Sequence, residues 1–356
     1  MKVTSKDASR LIAIMIVSKI LFSDINIFVQ NSGTAAYMEA IVCALCAIAI
    51  FLAEAHFYKK IGCIGFFDSI EEAFGKVLKS VIGAFLLVYG IVYTAIVLKL
   101  YSDAIITIAY PNSRSFYVMA FIVVTMLITA YNGIDTVTKF CSVCLVSMIT
   151  LIAILYALSL KEADVSNLFP IFGCGSKSII FGAKNIFMYN EVFFLFLLSE
   201  YLEKSEDAPR VGLRAVATSS AVIIISVLVY TLCVPYPASK MFNIPLLQLA
   251  SSTEMDIFFQ RTEGIFFLLW IYSSFLYLGA SFYFTLHIFK TCNSTDFKAL
   301  IPSLAVIIIL VTNLFENNSS VMRCYRILSA AFAVFAFAVP LLSFVVCYVK
   351  RRGEGV

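Results

Sequence analysis

The chain has 356 residues, of which 61% are hydrophobic and 13% charged, and it carries a formal net charge of +4. Soluble domains are about half apolar and a quarter charged, so this composition excludes a water-soluble enzyme. The net charge is small, and we expect no nucleic-acid partner.

Apolar stretches long enough to cross a bilayer, about 20 residues each, follow one another from Leu11 to Val349 with short polar breaks. They predict an all-α membrane protein with one transmembrane domain, residues 1–356, and about ten spans. The predicted spans are Ser9–Phe28, Thr34–His56, Ser80–Ala104, Ser115–Tyr131, Phe140–Leu160, Ser178–Leu202, Leu213–Pro235, Glu263–Phe289, Leu300–Phe315 and Cys324–Tyr348.

The loop charges predict that both termini face the cytoplasm. With this orientation, basic residues such as Lys59, Lys204 and Lys350 lie on the inner side, as the positive-inside rule requires. The opposite orientation inverts the bias, so we predict a multi-pass protein with cytoplasmic ends.

The first predicted span is polar at its centre. It contains Ser18, Lys19, Ser23, Asp24 and Asn26, and these residues favour a retained span over a cleaved signal peptide. An ionisable side chain inside the bilayer costs several kcal/mol or more, depending on how it is measured, so it usually faces a cavity, a partner or a transport path.

The sixth predicted span is also polar at its centre, and a lysine again precedes an acid. It contains Lys184, Tyr189, Asn190 and Glu191. Two copies of five spans, residues 9–160 and 178–348, would make the first and sixth spans equivalent in an inverted repeat. Interrupted helices at matching positions predict a ligand site near the midplane. The alternative is that the lysines reach an interface or simply pair with the acids.

Lys99 and Asp103 stand four residues apart on the third predicted span and are expected to form an interfacial pair. Two C-x-x-C pairs invite a redox or metal site, but their i, i+3 spacing on predicted spans favours packing thiols. No nucleophile and base stand together in a recognisable motif, so we expect no enzyme activity, no metal and no cofactor.

Short sequence blocks spread along the chain resemble the spore germination permease family, the B subunits of nutrient germinant receptors. One block, 167–175, reads Asn-Leu-Phe-Pro-Ile-Phe-Gly-Cys-Gly and precedes the sixth span. The other blocks are residues 4–11, 69–75, 131–135, 243–250 and 260–263.

This resemblance implies the fold of the amino acid, polyamine and organocation transporters, which is the leucine transporter type with a five-plus-five inverted repeat. It also implies nutrient sensing, commonly of amino acids, in the spore inner membrane beside an A subunit and a lipoprotein C subunit. A proton- or sodium-coupled amino acid or polyamine transporter is the alternative function, and a structural scaffold is a third.

We therefore expect a zwitterionic nutrient between the first and sixth spans, with its carboxylate at a half-helix N-terminus. Lys19 and Lys184 are candidates for charge pairing or ion coupling. The candidate ligand contacts and walls are Ser18, Ser23, Asp24, Asn26, Tyr93, Tyr189, Asn190, Glu191 and Tyr277.

Overall fold

The computed structural model describes residues 2–20, 24–109, 114–242, 244–252, 263–292, 297–315 and 318–353. These parts of the chain are helical apart from short turns and one isolated parallel bridge between Val3 and Leu202. The all-helical class predicted from composition is confirmed.

The helices follow the predicted spans closely in position. In chain order they are α1 Ser5–Lys19, α2 Ile25–Ser32, α3 Ala36–Lys60, α4 Phe66–Phe74, α5 Lys76–Ala109, α6 Ser115–Ser159, α7 Ser176–Phe181, α8 Phe194–Leu198, α9 Ala208–Cys233, α10 Pro245–Ser252, α11 Glu263–Cys292, α12 Phe297–Thr312 and α13 Asn318–Gly353. A 3-10 helix at Gly182–Phe193, called the 3-10 segment below, joins α7 to α8.

Seven helical stretches in the described residues are long and apolar enough to cross a membrane, compared with the ten spans predicted. The difference has local causes. The first predicted span is divided between α1 and α2, α6 covers the fourth and fifth without a loop, and α12 has only 16 residues. The count of ten and its division into two repeats therefore stay predictions.

Gly133 explains why two predicted spans share one helix. Its φ of 78° and ψ of 170° interrupt the helical geometry of α6, and a positive φ suits glycine because it has no Cβ. Hydrogen bonding continues on both sides of this bend, so the chain turns without an intervening loop.

The centre of the bundle is α1. Every residue from Leu11 to Lys19 is buried, which is expected for a helix that is apolar on all sides and surrounded by others. Its neighbours are α6, α9, α11 and the 3-10 segment. Thr4 caps the start of the helix by accepting a hydrogen bond of 3.2 Å from the amide of Asp7.

Both ends of the chain contact the loop after α3. Lys2 lines a cavity with Cys63 and Gly65, and Arg351 donates to the carbonyl of Ile61 at 2.6 Å. Arg351 also donates two hydrogen bonds to Glu72, which lie at 2.6 and 2.7 Å and lower the pKa of that carboxyl. The N-terminal and C-terminal ends therefore share one face of the bundle, which we call the terminal face.

Candidate functional site

The two interrupted segments meet through a buried ion pair. Nζ of Lys19, at the end of α1, lies 2.5 Å from Oε2 of Glu191 in the 3-10 segment, and the two side chains are 5% and 2% exposed. The same ammonium donates to the carbonyl of Phe187 at 3.1 Å. The predicted convergence of the polar parts of the first and sixth spans is therefore present, and it takes the form of the lysine–acid pairing that the sequence left as an alternative.

Two tyrosines from other helices extend the ion pair into a chain of hydrogen bonds. The hydroxyl of Tyr277 on α11 donates to Oε1 of Glu191 at 2.8 Å and lies 3.1 Å from the hydroxyl of Tyr93 on α5. Tyr93 in turn stacks between Tyr89 and Tyr325, with ring centroids 5.2 and 5.9 Å away. Of the predicted walls, Tyr277 thus contacts the ion pair directly, and Tyr93 reaches it through the hydroxyl of Tyr277.

A small closed gap adjoins the ion pair. Its free volume is about 10 Å³, which is about the size that holds one water molecule. The lining residues are Lys19, Tyr93, Val97, Leu100, Tyr101, Tyr277 and Tyr325. An amino acid does not fit in this gap unless the surrounding helices separate.

Several buried oxygens near the interruptions have no hydrogen-bond donor in the described part of the chain. Asp24 stands at the N-cap of α2, is 2% exposed, and leaves Oδ1 unpaired. The amides of Asn26 and Asn190 donate to the carbonyls of Phe242 and Ser329, at 2.5 and 2.8 Å, and both leave Oδ1 unpaired. Such groups cost roughly 1–3 kcal/mol each when buried without a partner.

Two of the other predicted residues, Ser18 and Tyr189, stand apart from this centre. Ser18 donates to the carbonyl of Ile14 in its own helix at 2.7 Å. The hydroxyl of Tyr189 accepts from Ser220 on α9 at 3.0 Å, on another side of the 3-10 segment. Ser23 lies outside the described residues.

Lys184 does not join the cluster around Lys19 and Glu191. This finding corrects the sequence interpretation, in which Lys184 and Lys19 had equivalent roles. Lys184 is exposed. On an α-helix, positions 184 and 191 share a face, because seven residues make almost two turns. The 3-10 segment has about 3.0 residues per turn, so the two side chains are about 120° apart.

A second buried carboxylate, which sequence reasoning missed, also joins the two interrupted segments. Glu39 on α3 accepts from the amide of Asn31 at 2.9 Å and from the hydroxyl of Ser32, both on α2. Its other oxygen accepts from Asn185 of the 3-10 segment at 2.6 Å. Gly182 leaves the space that this carboxylate needs, since a Cβ there would collide with Glu39.

Arg326 on α13 is a further residue that the sequence analysis did not identify. Its Nη1 donates to Oε1 of Gln30 on α2 at 3.3 Å, and its buried Nε has no acceptor in the described residues. The sequence did offer a signal, because Arg326 is an ionisable residue within the predicted span Cys324–Tyr348.

One smaller prediction concerns residues away from this site. Lys99 and Asp103 form the expected i, i+4 pair at 3.1 Å, and the location of this pair at the membrane interface stays a prediction. A polar cavity of about 300 Å³ opens at the terminal face, where Glu200 and Glu203 line it with Lys2.

A family model described as "Spore germination protein" matches residues 2–321. The chain belongs to the spore germination protein family. Spore germination protein KB of Bacillus subtilis (strain 168) is 23% identical to it over 286 residues, which are 76% of this chain and 74% of the relative. The family resemblance found in the sequence is thereby confirmed.

Solved structures of transporters share the fold. Mhp1, a nucleobase-cation-symport-1 family transporter in a closed conformation with bromovinylhydantoin bound, matches with a TM-score of 0.61 at 12% identity. That match covers 94% of this chain and 76% of Mhp1. A variant of the manganese transporter of Eremococcus coleocola matches with a TM-score of 0.60 at 13% identity, over 96% of this chain and 75% of that one. The chain is therefore a multi-pass, permease-like membrane protein.

Proposed function

We propose that the chain is the permease-like subunit of a spore germinant receptor and that it binds a small nutrient, an amino acid, near the bilayer midplane. The observation that carries the proposal is the buried Lys19–Glu191 pair, which joins the two interrupted segments beside a closed gap. Asp24, Asn190 and Tyr277 supply the polar surface around it. Membership of the germination family supplies the biological setting.

A nutrient can drive a conformational change only by binding one state better than another. In the conformation of the structure, Asp24 and Asn190 hold buried oxygens that have no donor among the described residues, which raises the free energy of that conformation. A ligand that donates to these oxygens stabilises the conformation in which it fits. The shift would pass to A and C partner subunits that contact the bundle.

The proposal includes the orientation and the repeat. The terminal face, which holds Lys350, Arg351 and Arg352, would face the cytoplasm across the spore inner membrane. The ten predicted spans, in repeats 9–160 and 178–348, would place α1–α2 and the 3-10 segment at equivalent positions.

A second function is supported by the fold. Mhp1 is a symporter-family protein and the Eremococcus protein is a manganese transporter, so the same architecture carries solutes across membranes. In this alternative the chain is a proton- or sodium-coupled transporter of an amino acid or polyamine. The site would be the same, and only the coupling to transport would differ.

The experiment that tests the proposal compares response with uptake. Spores of a strain lacking the native gene would carry the wild-type chain, Glu191→Gln or Lys184→Met, at matched membrane abundance. We expect Glu191→Gln to abolish the germination response to amino acids and Lys184→Met, at an exposed position, to retain it.

Proteoliposomes with the purified chain alone would separate the two functions. Sensing predicts no accumulation of radiolabelled amino acid, and accumulation driven by a proton or sodium gradient would favour the transporter. A normal response of the Glu191→Gln spores would contradict both, because both place the ligand at this residue.

A further inference from the structure

The N-terminal end of α2 already carries a carboxylate of the chain itself, because Asp24 is its N-cap. Glu191 lies within the 3-10 segment, where Lys19 and Tyr277 hold its carboxylate. A helix N-terminus stabilises one negative charge, and a second anion there meets like-charge repulsion in a poorly solvated site. The N-terminal end of α2 is therefore suited to the ammonium group of a ligand and unsuited to its carboxylate.

The two cations near the site, Lys19 and Arg326, are not equally available to bind a ligand carboxylate. Lys19 is engaged by Glu191 at 2.5 Å and by the carbonyl of Phe187 at 3.1 Å. Arg326 makes one long bond of 3.3 Å to Gln30, and its Nε is inaccessible to water and without an acceptor in the described residues. A guanidinium N–H that is buried without an acceptor is costly, and a carboxylate is the partner that matches it best.

Arg326 contacts the helix that Asp24 caps, because its partner Gln30 lies on α2. The charged groups that act electrostatically on Asp24 are Lys19, Glu191 and Arg326. Tyr325, the residue before Arg326 on α13, lines the gap beside the ion pair. A buried acidic oxygen and a buried guanidinium N–H, both without a partner among the residues that the structure describes, thus belong to one region of the bundle.

We infer that Arg326 is the specificity-determining residue of the nutrient site, binding the carboxylate of an α-amino acid while Oδ1 of Asp24 binds its ammonium group. This inference rests on the proposed function. It replaces the expectation that the carboxylate meets a half-helix N-terminus, because Asp24 occupies the N-terminus of α2. The Arg326–Gln30 bond is released when the ligand binds, and this links the outer part of α2 to occupancy of the site.

The test measures selectivity with defined probes. The purified full chain in nanodiscs is screened against the twenty standard L-amino acids, and each amino acid that shifts its melting temperature is compared by calorimetry with its C-terminal amide. The amide keeps the ammonium group and side chain and lacks the anionic carboxylate. For the wild type we expect the amide to bind at least about tenfold more weakly, as a charge-assisted hydrogen bond is lost.

The matched variants are Arg326→Gln and Arg323→Gln. Arg323 is exposed and stands one turn earlier on the same helix, so its variant controls for the lost positive charge. We expect Arg326→Gln to bind the amino acid as weakly as its amide, and Arg323→Gln to keep the wild-type preference. The melting temperature of each variant without ligand reports whether it folds.

The outcomes separate this inference from the proposed function. Binding of an amino acid with the same preference over its amide in Arg326→Gln overturns the role of Arg326 and leaves the nutrient site in place. If Arg326→Gln does not fold, Arg326→Lys replaces it, and an undiminished preference in that variant shows that a point charge suffices and overturns the guanidinium contact. If none of the twenty amino acids binds the wild type, the proposed function fails, and the inference fails with it.

Discussion

Two buried carboxylates connect α1–α2 to the 3-10 segment, and their surroundings differ. Glu39 accepts hydrogen bonds from Asn31, Ser32 and Asn185, and an adjacent glycine makes room for it. Glu191 is held by the Lys19 ammonium and the hydroxyl of Tyr277, beside a gap and near unpaired oxygens.

The difference separates a structural network from a binding site. A polar network in which every member has partners stabilises one arrangement, and a ligand has nothing further to offer it. Unpaired buried groups beside a gap keep their hydrogen-bonding capacity for a ligand. We therefore expect changes at Glu39 to affect stability, and changes around Glu191 to affect both stability and ligand binding.

The largest effect is expected when one partner of the buried ion pair is removed. Lys19→Met leaves Glu191 without its counter-ion and should lower the stability of the protein by about 3–5 kcal/mol. Unfolding in detergent measures this loss, and combining the change with Glu191→Gln should recover part of it. Lys184→Met, at an exposed position, should stay within about 0.5 kcal/mol of the wild type. Equal effects of the two lysine changes would contradict the assignment.

The next effect concerns the fully bonded carboxylate. Glu39→Gln places an amide N–H₂ against the donors of Asn31, Ser32 or Asn185 and should cost about 1–3 kcal/mol in the same unfolding measurement. The variant that still folds should keep the wild-type preference for an amino acid over its amide. A changed preference would show that Glu39 belongs to the binding site, and the contrast drawn here would fail.

A smaller effect is expected for the hydroxyl that bridges the site. Tyr277→Phe removes the 2.8 Å bond to Glu191 while the Lys19 ion pair remains, so the cost should be about 1.5 kcal/mol, at the low end for a hydrogen bond to a charged group. Tyr272→Phe, on the same helix and half-buried, loses a 3.2 Å contact with Ser147 and a contact with the thiol of Cys144, neither of which is charged, and serves as the control. A larger loss for Tyr272→Phe would argue against a central role for Tyr277.

The smallest effect is at the terminal face, where a paired carboxylate remains near water. Hydrogen bonds from Arg351 lower the pKa of Glu72, so their stabilisation is complete above the ordinary pKa of a glutamate and is lost as pH falls through the lowered value. The pair is partly exposed, and its contribution should be less than about 1 kcal/mol. Arg351→Gln should remove this pH dependence of the free energy of unfolding, whereas Arg352→Gln, at an exposed position, should retain it.

The sequence predicts the positions of the helices well because apolar stretches of bilayer length are easy to recognise. It also predicts Lys19, Glu191, Tyr93 and Tyr277 as members of one centre. It does not predict which of them pair, because that depends on the number of residues per helical turn. The long 3-10 segment has about 3.0 residues per turn and therefore directs Lys184 away from Glu191.

Other residues are missed for a related reason. Glu39 stands near the start of an apolar helix, where an acid is an ordinary first-turn residue, and Arg326 stands within an apolar run of another helix. Only the packing of α2 against α3 and α13 reveals that both residues face the interrupted segments. A single sequence holds no information on these contacts.

The most direct measurement is a cryo-electron microscopy structure of the full chain in nanodiscs, at saturation with the amino acid that raises its melting temperature most. Our account predicts density for the amino acid between α2 and the 3-10 segment, with its ammonium group within hydrogen-bond distance of Asp24. Density at another place, such as the polar cavity beside Glu200 at the terminal face, would contradict it.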